Sequence, residues 1–429
     1  MRKISKLSLV AAVAVAGFST ANAQPLEEAI KNVEVSGSVV YRYNDLNNDR
    51  EVNGVKLSDK STTNNNYKIG LNLSSKVNDY VKFNSRFLVA NESGDFASGS
   101  NPSNGLNTQT GGDSNVDVEL SHANFAFTGI KNTTITAGKQ GLTTPWTVAI
   151  DSDGNEQTGT GILALSTVGP VTFAGAYFNQ TNLDKSGDLF GTLNTVMGNA
   201  SLNKQVGSLD VATVGVIADL SPVTVDAWYL NMDQMFDTYT VGAKSDFKFD
   251  GGKIGVDARY VSLTLKESVA RAAGMVNGAD VIDSNSLAKI ALTGNLGIFN
   301  AKVAYAKTDK DGGITSLDKD SETALLGWSL HTVGKADADY WQGVLGVNIL
   351  DNLNLSANYG NLQYKEDNLA NADDVEEEEV YAQLTYKMSK NLSTYVRYGT
   401  YTKETTPVGG VKTEDNDDTR GRIQVEYTF

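Results

Sequence analysis

Apolar and polar side chains alternate through most of this chain. Residues 422–429 read RIQVEYTF. A strand has a side-chain period of two, so Ile423, Val425, Tyr427 and Phe429 share one face. The same template picks out about 18 segments. They cover 33–43, 67–73, 80–90, 116–127, 133–138, 162–167, 171–178, 211–218, 223–230, 238–249, 253–265, 287–295, 299–307, 340–350, 353–362, 379–388, 392–401 and 420–429. No segment keeps a helical period over a useful length; 25–31 suits a short helical turn before the first strand. In the fourth segment Val118 and Leu120 agree in phase, and then Ala123, Phe125 and Phe127 do. A bulge near Ser121 reconciles them. The pattern predicts an all-β chain.

The connections alternate in length. Odd-numbered ones are long: 44–66, 91–115, 139–161, 179–210, 266–286, 308–339, 363–378 and 402–419, with 231–237 as the exception. Even-numbered ones are short turns, such as Asp250-Gly251-Gly252 and Ser221-Pro222. A soluble sandwich has no reason to alternate in this way. A closed barrel spanning a bilayer does, with short turns on one side and long loops on the other. With both ends on the short-turn side, the strand number is even. The expected architecture is a transmembrane antiparallel β-barrel of about 18 strands. The acidic run Glu376–Glu379 reads as a solvated loop base.

The two phases then acquire meanings. The apolar set faces lipid and the polar set faces a wet interior. On the polar phase fall Glu34, Ser38 and Arg42, then Lys82, Asn84 and Arg86, then Lys253, Asp257 and Arg259. Tyr395, Arg397, Lys289, Lys302 and Arg422 join them. Arg or Lys at mid-membrane on the lipid side costs about 2–4 kcal/mol, so their recurrence on one phase marks a wet lumen. The expected basic pore wall is Arg42, Lys82, Arg86, Arg259, Arg397 and Arg422. At about 18 strands a barrel is wide enough for an aqueous channel.

The start of the chain agrees. Arg2, Lys3 and Lys6 precede the apolar run LSLVAAVAVAGF, and Ala21-Asn22-Ala23 is an A-x-A cleavage site. The expectation is a signal peptide at 1–23 and one domain at 24–429. Cysteine is absent, which excludes disulfides and thiolate sites. The formal net charge is −15, and loss of the leader's three cations makes it more negative. That disfavours a nucleic-acid partner, which needs a basic face. A mean hydropathy of −0.27 is compatible with a barrel, since only alternate residues meet lipid.

The third long connection, KQGLTTPWTVAIDSDGNEQTGTG, differs from the rest. Pro145, Trp146, Val148 and Ile150 are too apolar for a solvated loop, and Asp151, Asp153 and Glu156 follow. Such a loop folds against something, here the inner wall, with Asp117 and Glu119 as neighbouring acids. An acidic loop opposite a basic wall sets up a transverse field that selects solutes by charge and size. The alternative is an ordinary surface loop.

The chain resembles the major outer-membrane porin family of the Campylobacter group. The similarity is carried by PLEEAIKNVEVSGSVVYRY at 25–43, GKQGLTTPWT at 138–147, GTGI at 159–162 and the terminal Phe. The resemblance implies an 18-stranded homotrimeric porin in the outer membrane, among lipid and lipopolysaccharide. It implies a third loop folded into the pore and a moderate cation preference, with ions and small polar solutes as cargo. It also suggests Ca²⁺ near the constriction, with Asp151, Asp153, Asp117 and Glu119 as candidates. Residues 151–156, DSDGNE, offer hard oxygen ligands but depart from an EF-hand loop.

Catalytic motifs are sparse. There are two histidines, His122 and His331, and no HExxH. Spacing alone does not exclude a triad, which assembles in space. An adhesin barrel acting through 179–210 and 308–339 is the competing reading, and an enzyme is a weaker one.

Overall fold

The computed structural model describes residues 33–52, 55–89, 118–186, 206–277, 279–366 and 372–429. The expected signal peptide, the short helical turn at 25–31, Asp117 and the whole of the second long connection, 91–115, lie outside them. The described residues form an 18-stranded antiparallel sheet and a small two-stranded one that pairs 276–277 with 280–281. The strands of the large sheet are β1 Val33–Val52, β2 Val55–Lys76, β3 Val81–Val89, β4 Val118–Ile130, β5 Thr133–Gly141, β6 Thr158–Val168, β7 Val171–Thr181, β8 Val211–Asp219 and β9 Val223–Met232. There follow β10 Phe236–Phe249, β11 Gly252–Leu265, β12 Ser284–Leu296, β13 Phe299–Thr308, β14 Ala336–Leu350, β15 Leu353–Lys365, β16 Asp374–Lys387, β17 Leu392–Thr406 and β18 Thr413–Thr428. Each strand pairs with its chain neighbours, and β1 also pairs with β18 from Ser38↔Thr428 to Asp49↔Asp417. Phe429 and Gly37 exchange backbone hydrogen bonds at 2.9 and 3.0 Å. The sheet is thereby closed, with no free edge.

All 18 sequence segments became strands, in order. The even-numbered connections are tight turns; Gly251, between β10 and β11, has φ +80°, which glycine adopts without strain. The bulge is where the phase break put it. Arg86 pairs with His122 and Phe87 with Leu120, so Ser121 is the extra residue.

Two expectations need correction. The first connection, 44–66, is mostly ladder: β1 continues to Val52 and β2 begins at Val55. Strand pairing is made by the backbone, so a polar run such as Asn44 to Asn48 extends a hairpin as readily as an apolar one. Glu376–Glu379 is likewise part of β16, and Glu377 and Glu379 are buried.

The apolar phase is the exposed one. Val35, Val39, Ile254, Tyr260, Val396, Tyr398, Ile423, Tyr427 and Phe429 stand outward. The polar phase is covered: Arg42, Lys68, Arg86 and Arg259 are buried. On the long-loop half of β8 to β15, however, the inner phase turns apolar. Val261, Leu263 and Leu265 continue the phase of Arg259, and Leu287, Ala304, Ala306, Tyr340 and Leu362 sit beside them in one cluster. Trp146, Leu317, Leu325 and Leu330 from two connections complete it, together with Val269 of the helix α1 Glu267–Ala272.

The lipid-facing assignment is testable. Val39→Arg is expected to destabilise the barrel by about 2–4 kcal/mol in urea titrations in phospholipid vesicles, whereas Ser38→Arg on the inner phase is expected to be nearly neutral.

Candidate functional site in the barrel lumen

The third connection, 142–157, begins with an apolar anchor. Trp146 is fully buried, and its carbonyl accepts the Leu317 N–H at 3.0 Å. The Pro145 carbonyl accepts the Thr323 N–H at 3.1 Å. The connection at 309–335 is therefore packed against the third one, not spread over the surface. Its small and apolar residues Thr315, Ser316, Leu317, Thr323 and Leu330 are buried. Gln157 joins the two by donating to Asp318 Oδ2 at 2.9 Å. For 308–339 this corrects the expectation of a free external loop. The connection at 179–210 is described only in part.

The acidic tip is held by the basic phase of β1 to β3. Glu156, 1% exposed, receives Arg86 Nη2 and Lys68 Nζ at 2.8 and 2.9 Å. Ser121, turned inward by the bulge, donates to it at 2.7 Å. Arg42 donates to the Ser152 carbonyl at 2.6 Å and lies 3.5 Å from Asp153. Lys68 also donates to the Gly154 carbonyl. Lys319 pairs with Asp153 at 2.5 Å. The acids thus contact the basic wall directly. At Arg42, Lys68 and Arg86 the acids meet the wall by ion pairing and not across an open gap, because a carboxylate buried beside cations gains more from contact than from separation.

Burial by itself raises the Glu156 pKa, but the Arg86 hydrogen bond and the Lys68 charge outweigh it and bring it down to about 2. For Asp153, burial is likewise outweighed by Lys319, with Arg422 and Arg42 adding to the downward shift.

The connection at 309–335 has its own anchors. Glu379 of β16 accepts the N–H groups of Trp328 and Ser329, each at 2.8 Å. Glu377 accepts Tyr364 Oη at 2.6 Å and pairs with Lys335 at 3.2 Å. Glu322 reaches Lys244 at 2.8 Å, and Arg259 also bonds Asp226 at 2.8 Å. Burial raises the Glu322 pKa, and Lys244 and Arg259 lower it more.

The expected site residues divide accordingly. Arg42 and Arg86 meet the third loop, Arg259 meets 309–335, and Arg397 and Arg422 line a separate cavity. Lys82 is exposed near the short-turn end, 3.6 Å from Glu34, and takes no part. The candidate ligand set also changes. Asp151 gathers with Asp318 and Asp320, one oxygen of each within 4.8 Å of the others. Asp153 is ion-paired elsewhere, Glu119 lines a pocket with Ser121 and Lys139, and Asp117 lies outside the described residues. Sequence reading missed Lys68, Lys319, Glu322, Glu379, Asp318 and Asp320. Lys68 was legible, since it shares the polar phase of β2 with Gly70 and Asn72. The others depend on how 309–335 folds.

Glu156→Gln leaves Arg86 and Lys68 without their shared counter-ion. It is expected to weaken loop anchorage by about 3–5 kcal/mol, read as lost hydrogen-exchange protection over 142–157. The Glu156 pKa of about 2 lies below its ordinary 4.5. Ionised Glu156 therefore stabilises the loop fully above pH 4.5, and that contribution is lost as pH falls through the folded value. The variant is expected to lack this acid-side loss.

Comparison with known proteins gives the fold and the family. The structure is similar to crystal structures of Pseudomonas aeruginosa OccK8 (OprE), at TM-score 0.66 and 16% identity over 93% of this chain and 98% of that one. It is similar to P. aeruginosa OpdL, at TM-score 0.66 and 14% identity over 93% and 99%. The outer membrane protein OpdK of P. aeruginosa matches at TM-score 0.64 and 12% identity over 92% and 98%. These likenesses bear on the fold. No curated protein matches the sequence. The family model described as Campylobacter major outer membrane protein matches residues 1–429. A closed barrel with a polar, cation-lined lumen fits that match, and the chain belongs to the Campylobacter major outer membrane protein family, as an outer-membrane porin.

Proposed function

We propose that this porin is a passive diffusion channel for ions and small polar solutes, narrowed by 142–157 and 309–335, with weak cation preference and no catalytic step. The observation that carries the reading is the clamp of Glu156 on Arg86 and Lys68. It ties the third loop to the polar phase of β2 and β3 inside a closed sheet. The preference rests on the acidity of the chain as a whole, 51 acidic against 36 basic residues. The buried Asp151 and Glu156 contribute little to it directly, whereas Asp153 is about one-third exposed. Export through cleavage after Ala23, assembly as a homotrimer and contact with lipopolysaccharide belong to the same reading and rest on the leader pattern and the family.

A Ca²⁺ ion belongs to it as well. Three carboxylates within 4.8 Å, with Asp151 and Asp318 buried, form the kind of oxygen cluster a hard cation takes. Asp151 would hold it from the third connection, and Asp318 and Asp320 from the other. The bound charge would offset their mutual repulsion and brace one loop against the other.

Planar-bilayer recording is expected to show stepwise conductance, with a reversal potential of cation-preferring sign in a KCl gradient. Asp153→Asn is expected to move that potential toward zero; a protein that inserts without conducting sinks the proposal. Ca²⁺ is expected to raise the thermal midpoint of the protein. Asp318→Asn with Asp320→Asn is expected to abolish the rise, and no rise in the unaltered protein removes the metal.

A further inference from the structure

A cavity of about 390 Å³ lies between 319–328 and the strand wall. Lys289 of β12, Lys302 of β13, Arg397 of β17 and Arg422 of β18 line it, with Lys319. Two acids, Asp153 and Asp320, share the lining. Both are already engaged: Asp153 pairs with Lys319, and Asp320 Oδ2 accepts from the Ser152 N–H and Oγ at 2.9 and 2.7 Å.

The four strand cations are in a different condition. Each bonds a neutral oxygen. Lys289 donates to the Ala324 carbonyl at 2.9 Å and Lys302 to Gln342 Oε1 at 3.1 Å. Arg397 Nε donates to Gln383 Oε1 at 2.8 Å, and Arg422 Nε to Asn44 Oδ1 at 2.7 Å. No carboxylate of the described residues lies within ion-pair distance of any of them. The elsewhere thorough pairing of lumenal charge makes this exception informative. Arg86, Arg259 and Lys68 all have a carboxylate partner.

The two arginines are also held in place. The Arg397 guanidinium lies 4.9 to 5.4 Å from the ring centroids of Tyr381, Trp328 and Tyr395. Arg422 lies 5.8 Å from that of Trp328. Among the described residues only the Nε of each is engaged in a hydrogen bond, which leaves the donors of the terminal nitrogens available. A planar guanidinium with two free N–H groups matches a carboxylate edge, and stacking reduces the entropy lost on binding. Lysine ammonium groups from the facing strands add charge without directional demand.

We infer that this cavity is a lumenal subsite for small carboxylate anions, with Arg397 and Arg422 as the fork and Lys289 and Lys302 as supporting charge. The subsite rests on the porin reading, because a solute reaches it only through the lumen. It gives a channel of net acidic character a local station for organic acids.

The experiment is single-channel recording of the full protein in planar bilayers, with succinate added to a KCl background. Succinate is expected to produce brief current blockades whose frequency rises with its concentration. Arg397→Gln with Arg422→Gln is expected to raise the half-blocking concentration about tenfold or more, the loss of at least one charge-assisted contact. Lys302→Gln, which leaves the fork in place, is expected to raise it less. Conductance in the variants reports that they are folded. Blockades of equal strength from inorganic phosphate overturn the carboxylate assignment, and blockades unchanged in the arginine double variant overturn the site. A conducting channel blind to succinate removes the subsite alone, whereas a protein that inserts and never conducts removes the porin reading with it.

Discussion

Every backbone N–H and C=O of this chain that enters hydrocarbon needs a partner within the protein, since lipid offers none. A closed antiparallel sheet meets that demand, and the pairing of β1 with β18 is what closes it. The even strand number, the return of both chain ends to the short-turn side and the two-phase side-chain pattern follow from that closure. Apolar residues such as Val39 and Ile423 occupy one phase because they border lipid. Arg42, Arg86 and Arg259 occupy the other because a cation on the lipid side is costly.

Inside the barrel a second rule takes over. Charge removed from bulk water is paired or hydrogen-bonded, and a buried pair with one member lost is strongly destabilised. The third connection obeys this rule through Glu156 and Asp153, and 309–335 obeys it through Glu322, Glu379 and Lys335. The two connections then pack on each other through Trp146 and Leu317. The apolar inner faces of β8 to β15 receive them. Arg397 and Arg422, which have no ion-pair partner among the described residues, line the cavity between 319–328 and the strand wall.

Much of this was legible in the residues. The alternation placed all 18 strands, and long–short parity gave the two ends of the barrel. The phase break in β4 located the bulge at Ser121, and the polar phase named Arg42, Arg86, Arg397 and Arg422. Other features escaped. The polar stretch after Tyr43 looked like loop because side-chain polarity says little about backbone pairing. Glu377 and Glu379 looked solvated because four acids in a row usually are. The apolar inner phase of Val261, Leu263 and Leu265 was visible, yet its meaning depended on knowing that another segment would cover it.

The sequence by itself determined the barrel, its membrane placement and the two phases of its wall. Each of these is local, set by a period of two and by the cost of charge in lipid. Tertiary structure alone decided which connections fold inward, which carboxylates meet which cations, and that Asp151 gathers with Asp318 and Asp320, not with Asp153. Those partners lie as many as 170 positions apart, as in the contact from Ser316 Oγ to the Trp146 carbonyl. No periodicity reaches across that separation; packing within a lumen of fixed width does.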